Sequence, residues 1–306
     1  LGGESGLPDT LYTISVANVR TIRTPKTLSF SGYEWWIKAS VGKVGPGPNY
    51  FSDSTENVWV DEEGQLHLKI TQRIGEWYCS EVTCQDSLDY GNYVFYVSGR
   101  IDQLNKNAVL GLFTWDNSPE EFHREIDIEF SRWGKEADTN AQYVLQPWDV
   151  IGNRHRWVMP ESQDSSTHSF EWNPDSIYFL SVKGHQPVPS SDSIIHSWHY
   201  KGVNNPTPGN QNARINLWLY NGNPPTDTNE VEVIITKFEY FLRGDANNDK
   251  LVSISDIVYL IYYLFKNGPS PDPSAAGDAN CDGGVSVSDV VYLIVYLFKS
   301  GPPPIC

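Results

Sequence analysis

The sequence predicts an all-β jelly-roll sandwich followed by a small helical unit built on a duplicated loop. Three observations predict it. From about residue 10 to 242 the chain runs as short alternating or β-branched stretches broken by Gly, Pro, Asn and Asp, the pattern of a sandwich or jelly roll. Beyond Arg243 the composition shifts abruptly: Glu and Arg vanish, and residues 244–306 carry three Lys against seven Asp. That tail also repeats itself. A stretch of 22 residues starting at Gly244 returns at Gly277 with 16 positions identical, and self-similarity at a fixed offset signals a duplicated structural unit. Two domains are therefore expected, residues 1–243 and 244–306. No Pro/Ser-rich linker precedes Asp245, so the two are expected to sit rigidly together.

A chain of 306 residues fits two domains at about 150 residues each. Its 22 basic and 38 acidic residues give a net charge of -16, which repels a phosphate backbone and argues against nucleic acid as a partner. The 11 Trp and 17 Tyr exclude disorder and point to a surface that stacks on something flat. The longest apolar stretches, residues 257–265 and 290–298, fall far short of the roughly 20 residues of a membrane helix. No membrane span is predicted, and a monomer is expected. The four cysteines lack the C-x2-C pairs of a zinc site, and their even number fits disulfides in an oxidising compartment. With no initial Met and no signal-like apolar stretch, the chain is expected to be the mature or trimmed form of a secreted protein.

In chain order, the strands are expected in VWVDEEGQLHLKI (two, around Glu63 and Gly64), YGNYVFYVSGRI, AVLGLFTW, EIDIEF, AQYVLQ, SIYFLSV, RINLWLY and EVEVIITKFEYF. No helix is predicted before residue 243.

The segment HREIDIEFSRWG carries the strongest chemical signal. Read with period two, Glu125, Asp127 and Glu129 share one face of a strand, while Ile126, Ile128 and Phe130 face a core. Three carboxylates on one face repel each other, and no Lys or Arg within the strand relieves them. A solvent-washed face of an acidic protein is the bland alternative. A retaining glycosidase gives the arrangement a use: an ionised carboxylate attacks the anomeric carbon, and a protonated one about 5–5.5 Å away protonates the departing oxygen. Glu125 and Glu129 lie roughly 13 Å apart along a flat strand and nearest neighbours about 7 Å, so arithmetic alone does not choose the pair. Asp127 between them disfavours ionising all three.

These residues resemble the E-x-D-x-E signature of glycoside hydrolase family 16. The resemblance implies a concanavalin A-like jelly roll with Glu125 as nucleophile, Asp127 as assisting carboxylate and Glu129 as acid/base. The unbulged spacing is similar to the lichenase branch. Further matches lie in GYEWWIKAS, NVWVDEEGQLHLKI, YGNYVFYVSGRID, HSFEWNPDSIYFLSVKG and RINLWLYNG, together spanning about residues 30–241. The chain departs from the usual lichenase pattern after the motif, and at Val182 to Gly184, where Val-Lys-Gly stands for Val-Asp-Gly. Sugars need rings and hydrogen-bonding groups, and Trp36, Trp115, Trp133, Gln142, Tyr143, Trp148 and Trp218 are the candidates near the matching segments. Trp133 and Trp148, in polar surroundings, are better cleft candidates than Trp35 or Trp218. The seven His form no metal constellation, and no G-x-S-x-G is present.

In the tail, oxygen-bearing residues fall at loop positions 1, 3, 5, 9 and 12: Asp245, Asn247, Asp249, Ser253 and Asp256, then Asp278, Asn280, Asp282, Ser286 and Asp289. Calcium takes about six to eight oxygens, and this alternation can wrap it. Leu251 and Gly284, at position 7, need supply only a backbone carbonyl. Each loop runs into a helix opened by S-x-x-D. The alternative is a pair of solvated acidic turns ahead of core helices. These repeats resemble a type I dockerin, which implies two bound Ca2+ ions and a cohesin domain as partner. Lys250 stands at loop position 6, where Gly is usual; Gly283 conforms. A module of about 60 residues has little core, so metal binding should supply much of its folding energy. Cys281, at a non-ligand position, and the terminal Cys306 are expected to form a disulfide, with buried thiols as the alternative. Cys79 and Cys84 can close a hairpin loop if their Cα atoms lie within about 7 Å.

The expected protein is a secreted, endo-acting, retaining glycoside hydrolase. It would act on β-1,3-1,4- or β-1,3-glucan and be tethered through calcium-loaded repeats. A non-catalytic carbohydrate-binding sandwich and a transglycosylase of the same fold are the alternatives.

Overall fold

The computed structural model describes residues 24–137, 139–160, 164–185 and 190–305. Sixteen strands among them form two facing sheets. The first carries β1 (Thr27–Phe30), β2 (Tyr33–Ile37), β6 (Glu76–Ser87), β15 (Asn212–Leu219), β8 (Ala108–Trp115), β9 (Ile126–Phe130), β10 (Ala141–Leu145) and β11 (Arg154–Trp157), side by side in that order. The second runs β4 (Val58–Val60), β5 (Leu66–Arg73), β16 (Val231–Phe241), β7 (Gly91–Ser98), β12 (Ser165–Asn173), β13 (Ser176–Lys183) and β14 (Ile194–Tyr200). The short β3 (Tyr50–Phe51) pairs in parallel with β6, and all other pairings are antiparallel.

One strand links the sheets. β6 leaves β5 through a tight turn, Arg73 pairing Glu76, with both Ile74 and Gly75 at positive φ, the geometry whose twist matches a hairpin. Its later residues pair with β15 and β2. No candidate strand was expected here because Glu, Ser, Thr and Gln interrupt its apolar alternation. Neighbours on both sides, rather than local propensity, hold it extended.

Between the sheets a single core forms from alternate side chains of each strand. Tyr143 of β10 stacks on Phe179 of β13 with ring centroids 4.8 Å apart, and its hydroxyl meets Ser181 Oγ at 2.7 Å. Phe130 of β9 lies 4.6 Å from the His168 ring of β12. Burial holds His168 neutral, pushing its pKa down to about 3. Each large side chain buried here contributes about 1.5–3 kcal/mol.

The expected Cys79–Cys84 disulfide is absent: both are buried free thiols. They lie five residues apart on the same extended strand, β6, which separates their Cα atoms by about 17 Å, far beyond a disulfide's reach. Cys79 pairs beside Phe51, Cys84 beside Trp35.

After β16 come α1 (Ile254–Lys266), α2 (Ser274–Gly277) and α3 (Val287–Lys299). Ser253 and Ser286 cap α1 and α3, each in a capping box closed by Asp256 or Asp289. The core here is small: Ala246, Ile257, Leu260, Ala279, Val290 and Leu293. Arg243 ties the junction, its Nη1 donating to the carbonyls of Ala275 and Asp278 at 3.0 and 2.9 Å.

Candidate active site and calcium loops

The three carboxylates stand on the outer face of the first sheet, because β9 turns Ile126, Ile128 and Phe130 into the core. Glu125 itself precedes the strand but is extended, with φ -86° and ψ 120°, so the alternation holds through it. All three line a cavity of about 450 Å³, together with Lys38, Glu81, Trp115, Arg214, Asn216 and Trp218. The solvent-washed alternative is excluded for Asp127, which is 4% exposed.

This cavity is the middle of a longer cleft. On one side it shares Lys38, Glu81 and Arg214 with a compartment of about 360 Å³ that also holds Trp36. On the other it shares Glu129 and Trp218 with one of about 470 Å³, lined also by Trp133, Gln142, Trp148, Arg154 and Arg156. The groove crosses β2, β6, β15, β8, β9, β10 and β11 in turn, so several sugar units of an extended chain can lie along it.

Burial raises the proton affinity of the whole triad, and repulsion by neighbouring carboxylates adds to it at Glu125 and Asp127. Glu125 is pushed up by burial and by the charge of Glu129, against a hydrogen bond with Asp127 and the nearby Arg214. Asp127 is raised by burial, then by Glu125 and Glu129. Glu129 is raised by burial, against Gln142, Arg154 and Arg156. The hydrogen bond between Glu125 and Asp127 favours charge on Glu125 and the proton on Asp127. The other partners are neutral donors from β10 and just beyond it: Gln142 Nε2 to Glu129 Oε2 at 2.7 Å, and Gln146 Nε2 to Asp127 Oδ2 at 3.3 Å. Beside Glu125, Glu81 holds Lys38 at 2.7 Å and Arg214 at 3.5 Å.

The sequence comparisons now decide the family. A curated β-glucanase of Acetivibrio thermocellus is 30% identical over 287 residues, covering 83% of this chain and 79% of that protein. The chain belongs to the β-glucanases of glycoside hydrolase family 16. Residues 243–298 match the family model described as "Dockerin type I domain". In fold, the family 16 unit is similar to the Bacillus licheniformis β-glucanase, with a TM-score of 0.51 at 18% identity over 72% of this chain and all of that one. It is also similar to a glycoside hydrolase family protein from Mycobacterium thermorestibile, with a TM-score of 0.52 at 14% identity over 68% of this chain and 92% of that one.

Of the aromatic candidates in this family 16 cleft, Trp36, Trp115, Trp133, Trp148 and Trp218 all line it, as does Gln142. Tyr143 does not. It is fully buried between the sheets, because alternation along β10 that turns Gln142 outward must turn Tyr143 inward. Trp218, ranked below Trp133 and Trp148 as a candidate, borders two compartments of the cleft while packing against the core. Trp115 is backed by His123, stacked at 4.0 Å. Trp133 sits at φ 53°, a conformation that a bulky side chain rarely adopts; it places the indole edge-on to Trp218 and Tyr220, at 6.3 and 5.7 Å.

Sequence reasoning missed Lys38, Glu81, Gln146, Arg154, Arg156, Arg214, Asn216 and Tyr220. Period two along RINLWLY would have found Arg214 and Asn216 beside Trp218. Glu81 had no local signal, lying on the unexpected β6. Gly111 is required by the floor: a Cβ there would stand 2.5 Å from Asn216 Oδ1.

In the helical unit both loops fold alike. Asp245 accepts from the Asp249 and Lys250 amides at 3.0 and 2.8 Å, and Asp256 from those of Asn247 and Ser253 at 3.2 and 2.8 Å. Asp278 and Asp289 repeat this with Asp282, Gly283, Asn280 and Ser286. Among the described residues no group of three or more His, Cys, Asp or Glu is gathered tightly enough to hold a metal as it stands. The donor chemistry fits a divalent cation nonetheless: burial and the charges of Asp256 and Asp249 push Asp245 up to about 6, a repulsion that a cation would relieve. Ser253 and Ser286 serve as helix caps. Leu251 is exposed and Gly284 sits in the equivalent turn. Cys281 is disulfide-bonded; Cys306 lies outside the described residues.

Proposed function

We propose that this glycoside hydrolase cleaves β-1,3-1,4- or β-1,3-glucan within the chain, by double displacement with retention. The observation that carries the reading is the triad on the floor of a cleft that continues past it on both sides, with Asp127 hydrogen-bonded to Glu125. Asp127 keeps the proton and donates a hydrogen bond through it to Glu125, which stays ionised. Glu125 attacks the anomeric carbon and forms an ester as the glycosidic C–O bond breaks, while Glu129 passes its proton to the departing oxygen. Esterification removes the charge of Glu125, so Glu129 ionises more readily. It then takes a proton from water, whose oxygen attacks the anomeric carbon and frees Glu125. Water gives hydrolysis; a second sugar in its place would give the transglycosylase reading.

Residues 1–243 and 244–306 are proposed to be separate folding units. Asp245, Asn247, Asp249, Asp256 and the Leu251 carbonyl, with Ser253 beside them, would hold one calcium ion. Asp278, Asn280, Asp282, Asp289, the Gly284 carbonyl and Ser286 would hold the other. Bound calcium would neutralise the loop carboxylates and fix both helix starts. Exposed Ile254, Val258 and Phe265 on α1, and Val287, Val291 and Phe298 at the same offset on α3, support a cohesin as the partner. A scaffold-attached extracellular setting follows from that partner, and a Cys281–Cys306 disulfide suits it.

The test is the anomeric form of the first product from barley glucan and laminarin, read by proton NMR before mutarotation. Retention predicts the β anomer. The α anomer overturns the double displacement, and binding without cleavage would favour the non-catalytic sandwich.

A further inference from the structure

Glu125 follows a stretch of backbone that L-residues seldom adopt. Glu121, Phe122 and His123 have φ/ψ of 48°/43°, 53°/44° and 64°/12°, and Arg124 has φ 51°. In the left-handed region each Cβ crowds the following carbonyl oxygen, and four successive non-glycine residues persist there only where their surroundings over-determine them. The surroundings do so here. Arg124 Nη1 meets Asp116 Oδ2 at 2.9 Å, with both side chains buried, and Arg124 Nε donates to the Thr207 carbonyl at 2.8 Å. A Cβ on Gly209 would stand 2.6 Å from Arg124 Nε, so glycine at that position leaves room for the guanidinium. The same Asp116 oxygen accepts from the Asn210 amide at 3.1 Å. Within the turn, the Asp116 amide donates to the His123 carbonyl at 2.7 Å, and His123 Nδ1 to the Asp116 carbonyl at 2.9 Å.

Those bonds lead to Glu125. The ladder between β8 and β9 ends with Phe113 opposite Asp127. Beyond it the Thr114 hydroxyl takes over, donating to the Arg124 carbonyl at 2.8 Å and accepting from the Ile126 amide at 3.1 Å. One hydroxyl thus brackets Glu125 on both sides, and a shift of Arg124 carries Glu125 with it. We propose that Arg124 and Asp116 are positioning residues: their buried ion pair holds the left-handed turn closed and through it fixes where the Glu125 carboxylate stands in the cleft. Neither lines the three compartments of that cleft, so they act through Glu125. The inference rests on the reading of Glu125 as nucleophile.

The test uses the calcium-loaded full chain and an activated aryl β-glycoside of a gluco-oligosaccharide. Arg124→Gln, and separately Asp116→Asn, which keeps the shape of its side chain, should each lower kcat by about ten- to a hundredfold with KM held within about twofold, the signature of a misplaced reacting group. Arg124→Lys, with the charge but not the fork, should recover only part of the loss. In Glu125→Ala, azide added to the solution stands in for the carboxylate: its nitrogen bonds to the anomeric carbon, the aryloxide departs, and the product is the α-glycosyl azide. The placement of Glu125 no longer matters there, so adding Arg124→Gln or Asp116→Asn to that background should cost less than about twofold. A loss of equal size in both backgrounds, an unchanged kcat in both single variants, or a raised KM alone overturns the proposal. Failure of azide to restore turnover to Glu125→Ala overturns the reading of Glu125 as nucleophile instead.

Discussion

Gln142 and Glu129 are direct partners across the β9–β10 ladder, with Gln142 Nε2 donating to Glu129 Oε2 at 2.7 Å. A neutral donor fixes the carboxyl in place and favours its charged form without adding a charge of its own. Burial works in the opposite direction and wins, leaving the proton affinity of Glu129 raised.

Replacing Gln142 with Leu removes the interaction that lowers that affinity. Glu129 then holds its proton to higher pH, so the basic limb of the kcat/KM profile should move upward, with activity at the optimum falling about three- to tenfold. A pH–rate profile checks this. A uniform loss with unmoved limbs would show that Gln142 acts on binding alone.

Glu125→Gln and Glu129→Gln should each lower kcat by about 10²–10⁴-fold, measured as reducing-end release, while glucan affinity persists. Comparable turnover in either variant would remove that residue from the chemistry.

Asp127→Asn should raise stability while lowering activity. Folding raises the proton affinity of Asp127, so above the ordinary carboxylate range the native state binds more protons than the unfolded one. Stability therefore falls as pH climbs towards the raised value. Asparagine carries no such penalty. The gain in melting temperature should be absent near pH 4 and grow towards pH 8, by a few degrees, roughly 2–4 °C per kcal/mol for a unit of this size. Calorimetry across that range decides it.

Lys250 occupies a left-handed position at φ 70°, where the second loop places Gly283 at φ 94°. Lys250→Gly should relieve about 1 kcal/mol of backbone strain, tightening calcium binding at the first loop a few-fold, as read by calorimetric titration. Chelation should melt α1 and α3, visible by circular dichroism, since six small-to-medium residues make up their core. Retention of helicity in EDTA would show that packing alone suffices.

Alkylation of the denatured, unreduced chain should label Cys79 and Cys84 and spare Cys281. A mass spectrum with Cys79 and Cys84 protected would contradict their description as free thiols.

Local pattern determined much by itself. Period two in EIDIEF assigned the acids and the core residues to opposite faces because strand geometry is a nearest-neighbour property. The offset of 33 exposed the duplicated loops for a similar reason, since ligand order is written within 12 residues. The same rule, applied to AQYVL, would have removed Tyr143 from the cleft.

What only the tertiary structure decided is what lies beside what. Glu81 and Arg214 are 133 residues apart yet meet at 3.5 Å; β6 is a strand because β5, β15 and β2 pair with it; and Cys79 and Cys84 stay apart because that pairing keeps them extended. Strand order and register are set by contacts between distant segments competing for one core. No window of sequence contains that competition, so the walls of the cleft, unlike its catalytic floor, emerge only from the assembled sheets.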